Sequence, residues 1–174
     1  MVLFGPKNNI NLKKNIKMAN LNSIGLDIQK SEKLAVKLNE LLADYSIFYQ
    51  NIRGYHWNIK GDKFFELHGK FQELYENLFI KIDEVAERIR TLGHTPNHKF
   101  SVYQQEAKIK ESSEVSDGIK DVQDTLESFK IIITLQREIL DLSADAEDEG
   151  TNALMSDYIR EQEKTVWMLS AWLG

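Results

Sequence analysis

Four residues carry the chemistry this chain can do: His56, His68, Asp83 and Glu87. Two imidazoles and two carboxylates are the donor set of a borderline-to-hard metal such as iron, zinc or manganese. Their spacing excludes a site shared by all four within one folded chain. Asp83 and Glu87 lie four apart in Ile80-Lys81-Ile82-Asp83-Glu84-Val85-Ala86-Glu87, so on a helix they project from one face. His68 precedes Asp83 by fifteen residues on what reads as the same uninterrupted helix. At the helical rise per residue that separates them by about 22 Å, whereas each ligand must stand about 2 Å from the ion. Yet His68, Asp83 and Glu87 fall on one stripe of that helix. Two copies packed antiparallel about a two-fold axis would bring the histidine end of one to the carboxylate end of the other. The expectation is a metal site built between subunits.

Helices must position these residues. From Ser31 to about Trp57, Leu34, Leu38, Leu41, Leu42, Tyr45, Phe48, Tyr49 and Ile52 recur at three- and four-residue steps. The turn signal Asn58-Ile59-Lys60-Gly61-Asp62 follows. A second helix is expected from Phe64 to Leu92, stopped by Gly93. The short link makes the two antiparallel neighbours, so His56 and His68 sit at the same end. Residues 94–113 are long for a link and suggest a crossover, with a short helix from Phe100 to Ile109. His94 and His98 flank Pro96 there and read as loop residues. A third helix is expected from Glu114 to Leu142 with Ile119 inward, and a last one N-capped by Thr151. The fold class is all-α: a four-helix bundle of the ferritin-like kind, with one long crossover carrying a short helix.

The bulk composition narrows the functions. A chain of 174 residues is long enough for one domain with a core of its own. It has no cysteine, which excludes thiolate ligands and thiol nucleophiles and suits a reducing, cytoplasmic setting. A net charge of −5 argues against nucleic-acid binding by the general surface. No apolar run reaches the length of a membrane span, and Met1-Val2-Leu3-Phe4 is too short for a signal-peptide core. Residues 1–28 read as a flexible basic arm with Lys7, Lys13, Lys14 and Lys17, ahead of a bundle domain at 29–174; Met18 is an alternative start.

Bland readings compete for each residue. A histidine at a helix end is often a cap, and Asp83 and Glu87, close to Arg88 and Arg90, resemble a solvated salt-bridging face. The sequence has no Glu-x-x-His motif, which makes an iron pair inside one bundle very difficult to build. Trp57 reads either as a packing residue or as an oxidisable guard beside a redox metal.

At these residues the chain resembles the Dps family, the DNA-binding proteins of starved bacterial cells, also called mini-ferritins. The resemblance rests on Tyr55-His56-Trp57-Asn58, Gly61, Phe64-Phe65, Leu67-His68, Asp83 through Ile89 and Leu92-Gly93, in the spacing His-x11-His-x14-Asp-x3-Glu. It implies a homo-oligomeric shell of twelve subunits, with Fe(II) oxidised at two-fold interfaces, usually by hydrogen peroxide, and ferric mineral stored inside. It implies that His56 and His68 bind iron from one subunit, and Asp83 and Glu87 from its neighbour. Two departures stand out. Gln72 occupies a position where many members have an acid, and a neutral amide is a poorer ligand for a hard cation. Ala153 stands where some members have Asp in the acidic pore, leaving Asp145, Asp148 and Glu149 as candidate pore residues. DNA binding, where it occurs in the family, often uses lysine-rich tails, and the arm supplies four lysines.

Overall fold

The computed structural model describes residues 20–174. Its helices are α1 (Ile28–Asn58), α2 (Phe64–Thr91), α3 (Phe100–Glu106), α4 (Gly118–Asp145) and α5 (Glu149–Leu173). The four long helices form the expected bundle, and none is long and apolar enough to cross a membrane.

Capping chemistry sets most boundaries. Asp27 starts α1 by accepting from Lys30 N, and Asp117 starts α4 by accepting from Ile119 N and Lys120 N. Gly93, at φ +93°, ends α2 with paired bonds from its own N–H to Arg90 O and from His94 N–H to Ile89 O. The same pattern closes α4, but there Glu147 takes the left-handed position at φ 56°. Asp148, not Thr151, is the N-cap of α5; it accepts from Thr151 N, and the Thr151 hydroxyl donates to it. α4 begins four residues later than expected, because Asp117 is the residue whose side chain caps it. Ile119, expected inward, is exposed in its first turn. α3 stops at Glu106, and Ile109 is buried in the irregular chain beyond it.

Pairings between side chains define the packing. Lys37–Glu138, Tyr45–Gln136 and Phe48–Phe129 make α1 and α4 antiparallel. Arg88–Thr151, Lys81–Glu161 and Glu66–Trp172 do the same for α2 and α5. α2 and α4 therefore run parallel, and the segment between them must return along the whole bundle. It does so over α1, where side chains satisfy the irregular backbone in succession. Asn39 accepts from Asn97 N, Asp44 from Ile109 N and Asn51 from Ser112 N, while Asn51 donates to Lys110 O. The buried polar residues Asp44 and Asn51 thus pair the part of the strap beyond α3, which has no secondary structure to pair itself.

Of the expected arm, residues 1–19 lie outside the described residues. From residue 20 the chain forms a loop closed by a bridge between Leu21 and Asp27. Asn22 anchors it by donating to Ser31 Oγ and to Leu92 O at the end of α2. This stretch belongs to the body rather than to an arm.

One core carboxylate is uncompensated among the described residues. Asp121 is fully buried, and both carboxylate oxygens lack a hydrogen-bond partner. Burial, reinforced by the nearby Asp117, Asp124 and Glu114, pushes its pKa up to about 7. An unfolded aspartate loses its proton near pH 4. Between those values the folded chain holds a proton that the unfolded one has released, so stability falls as pH rises through this window and stays lost above it. Asp121→Asn should raise the unfolding temperature at pH 8 and leave it nearly unchanged at pH 4, by calorimetry. A second expectation concerns the α4 terminus: Glu147→Gly relieves the left-handed conformation and should stabilise the fold by roughly 1 kcal/mol in denaturant titration.

Candidate metal centre

His56 lies in the last turn of α1 and His68 early in α2, and the short turn between the helices presses their rings together. The rings stack with centroids 3.8 Å apart, tilted by 19°. His56 Nδ1 stands 2.8 Å from His68 O, and His68 Nδ1 stands 2.8 Å from His56 O. A carbonyl only accepts, so each Nδ1 carries the proton. Both imidazoles are thereby held in one tautomer, with the Nε2 lone pair left for a ligand. The His56 carbonyl is one of the last four of α1, which lack intrahelical donors, so the imidazole bond also finishes the helix end. Phe64 stacks on His68 at 5.0 Å, and Tyr75 meets His56 edge-on at 5.3 Å.

Asp83 and Glu87 lie on the exposed side of α2, in the half nearer its C-terminal end. Every charged neighbour is engaged within the chain. Lys81 pairs with Glu161, Glu84 accepts from the Tyr158 hydroxyl, and Arg88 pairs with Asp148 at 2.5 Å. Arg90 donates to His94 O and Thr95 Oγ1. Asp83 and Glu87 alone of this group make no side-chain hydrogen bond or ion pair among the described residues. The salt-bridging face expected as the bland alternative does not form, because the arginines turn to other partners.

α2 runs unbroken from His68 to Glu87, so the histidine pair and the carboxylate pair stay apart within one chain. Among the described residues no single-chain group of three or more such ligands could hold a metal ion. The exposed face of α2 carries two aromatic rings, Phe65 (89% accessible) and Phe79 (63%), with the polar Gln72 and Glu76 between them.

The other sequence-derived candidates divide. Trp57 is exposed, with the Arg53 guanidinium 4.5 Å above its ring. Gln72 donates to Glu76 Oε1 at 2.8 Å. Asp145 and Glu149 are exposed, and Asp145 pairs with Lys30. Asp148 is 3% accessible and is taken up by Arg88 and by capping α5, a structural duty inside this chain. His94 and His98 lie between helices. Phe64, Tyr75 and Arg53 were not anticipated around the centre. Tyr75 was within reach of the sequence, since it stands seven residues, two helical turns, after His68.

Residues 35–174 match the ferritin-like domain family. A DNA protection during starvation protein from Porphyromonas gingivalis is 43% identical over 148 residues, covering 85% of this chain and 93% of that protein. The crystal structure of a Dps protein from Vibrio cholerae, described as a member of a broad superfamily of ferritin-like diiron-carboxylate proteins, superposes with a TM-score of 0.88. It shares 57% sequence identity and covers 89% of this chain and 98% of its own. A Dps protein from Bacillus brevis superposes at 0.81 with 32% identity over 84% of this chain and 98% of its own. A histidine pair with its tautomers set, two unpaired carboxylates on the same helix and these similarities lead to one assignment: the chain belongs to the Dps proteins of the ferritin-like family.

Proposed function

We propose that this protein oxidises Fe(II) at sites shared between subunits of a hollow shell of twelve copies, and stores the ferric product inside. The observation that carries this reading is the contrast between the two ends of α2: two histidines locked with Nε2 free as ligand at one end, two carboxylates without a partner among the described residues at the other. A neighbouring copy of α2, packed antiparallel against the exposed face that carries Phe65 and Phe79, supplies what each end lacks. His56 and His68 then bind Fe(II) from one subunit, with Asp83 and Glu87 from the next. Glu87 is the bridge toward a second, weaker iron position, weak because Gln72 is neutral and its amide is engaged by Glu76. Asp145 and Glu149 are the exposed acids left to attract the cation inward. Hydrogen peroxide is the proposed oxidant, and its consumption together with Fe(II) protects against oxidative damage in the cytoplasm. The diiron-carboxylate description of the Vibrio cholerae relative supports iron as the substrate.

Stopped-flow absorbance of apo-shell loaded anaerobically with Fe(II), then mixed with peroxide or with dioxygen, tests the activity. Fast ferric formation with peroxide and slow formation with dioxygen is expected. Asp83→Ala should slow it on the order of 10–100-fold, by loss of a ligand to the ion, while light scattering still reports the assembled shell. A mixing experiment tests the sharing. Shells made only of His68→Ala subunits or only of Asp83→Ala subunits are each slow. Reassembled one to one, they should recover about a quarter of wild-type activity, because half the two-fold interfaces are mixed and each mixed interface has one intact site of two. No recovery would sink the shared-site reading.

A second reading adds DNA as a partner, through Lys7, Lys13, Lys14 and Lys17, which lie outside the described residues. Twelve such segments on one shell would sum weak phosphate attraction. Retardation of duplex DNA at low salt, abolished by deleting residues 1–17, is the expected outcome; no retardation by the full-length shell rejects this reading.

A further inference from the structure

We infer that Glu76 meets its own copy on the two-fold axis between neighbouring α2 helices, and that this acidic contact makes the cohesion of the shell depend on divalent cations. The inference rests on the proposed shared iron site and concerns how that site and the subunit contact act on each other.

Helix spacing places Glu76. On a helix that turns about 100° per residue, Glu76 lies between Asp83 and Glu87 around α2, about 20° from each. It is exposed, as they are. The ligands fix the register. Where His68 of one copy faces Asp83 and Glu87 of an antiparallel neighbour, the two-fold axis crosses α2 midway, between about residues 75 and 78. Glu76 is the acid at that height and on that face, so two Glu76 carboxylates approach each other across the axis. Phe79, exposed on the same face about one turn on, closes around them and takes water away.

No cation among the described residues pairs with Glu76. Gln72 donates to its Oε1 at 2.8 Å, but a neutral amide leaves the charge in place. The lysines nearest along α2 are engaged elsewhere, Lys70 with Glu73 and Lys81 with Glu161. Asp83 and Glu87 also lack an ion pair among the described residues. Each copy therefore brings Glu76, Asp83 and Glu87 to the contact as carboxylates without a counter-charge. Like charges set against each other across an interface oppose association, and screening weakens as water leaves. Glu76 stands about 12 Å along the helix from His68 and about 10 Å from Asp83. That is too far to ligate an ion at either site, yet near enough for an ion there to offset its charge. A divalent cation at the shared site thus bridges two subunits and relieves the repulsion at the axis between them. The coupling is reciprocal: the contact tightens with cation by the factor by which assembly tightens cation binding.

The test follows dissociation of full-length shells by light scattering through a urea series. Shells are stripped with EDTA or loaded with Zn(II), which suits the same ligands and undergoes no redox change. Stripped wild type should fall apart at lower urea in low salt than in high salt, and Zn(II) should raise the midpoint. Glu76→Gln should raise the stripped midpoint, remove most of its salt dependence and shrink the Zn(II) effect. Glu73→Gln removes the same charge from the side of α2 beside Met168 and Trp172, and should behave as wild type. Equal midpoints for stripped wild type and Glu76→Gln, or equal gains in Glu73→Gln and Glu76→Gln, overturn the axial contact and leave the shared site standing. No rise with Zn(II) in wild type overturns the shared site as well.

Discussion

A straight helix cannot bend its two ends onto one ion, and this rigidity of α2 governs how the rest of the molecule is used. His68 and Glu87 share the helix and stay at different heights on it. The bundle keeps each pair in order separately. At one end the reciprocal bonds between His56 and His68 hold the imidazole tautomers. At the other, Arg88 and Lys81 are drawn to α5 by Asp148 and Glu161, which leaves Asp83 and Glu87 facing outward without cations among the described residues. Intrachain pairing thus draws the competing charges away from Asp83 and Glu87.

The bundle has a polar interior as well as an apolar one. Tyr45 on α1 receives bonds from Gln136 on α4 and Gln162 on α5, all fully or almost fully buried, at the centre of the core. Burial drives the Tyr45 hydroxyl far above its ordinary pKa, so it remains neutral. Three helices are tied together there by neutral groups, where other ferritin-like bundles use carboxylates and histidines for metal. The absence of a Glu-x-x-His motif and this amide–phenol centre are two views of one fact. The interior of the single bundle serves cohesion.

The crossover shows how far a sequence pattern reaches. Its length and the lone short helix were legible, because twenty residues without sustained periodicity can only be a strap. Its pairing was not. Asp44 and Asn51 interrupt the apolar stripe of α1 and look like defects in it, until the backbone of Ile109 and Ser112 is laid against them. The same holds for Asp148. As a member of an acidic run it suggested a pore, and in the folded chain it is an ion-pair partner and a cap, which no count of charges along the sequence distinguishes.

The sequence by itself determined the helices, their order, and the identity and spacing of His56, His68, Asp83 and Glu87. These follow from local periodicity, turn chemistry and the fixed rise of a helix, all of which act over a few residues. Helix ends slipped by a few positions, as at Asp117 and Asp148, because several neighbouring residues could cap and only one could do so once packed. Only the tertiary structure decided which groups are spent. Whether Arg88 neutralises Glu87 or Asp148, which nitrogen of each imidazole keeps its proton, and which aromatic ring Arg53 covers depend on side chains brought together from distant helices. Those choices are made by competition among partners in space, and the order of residues along the chain does not rank the competitors.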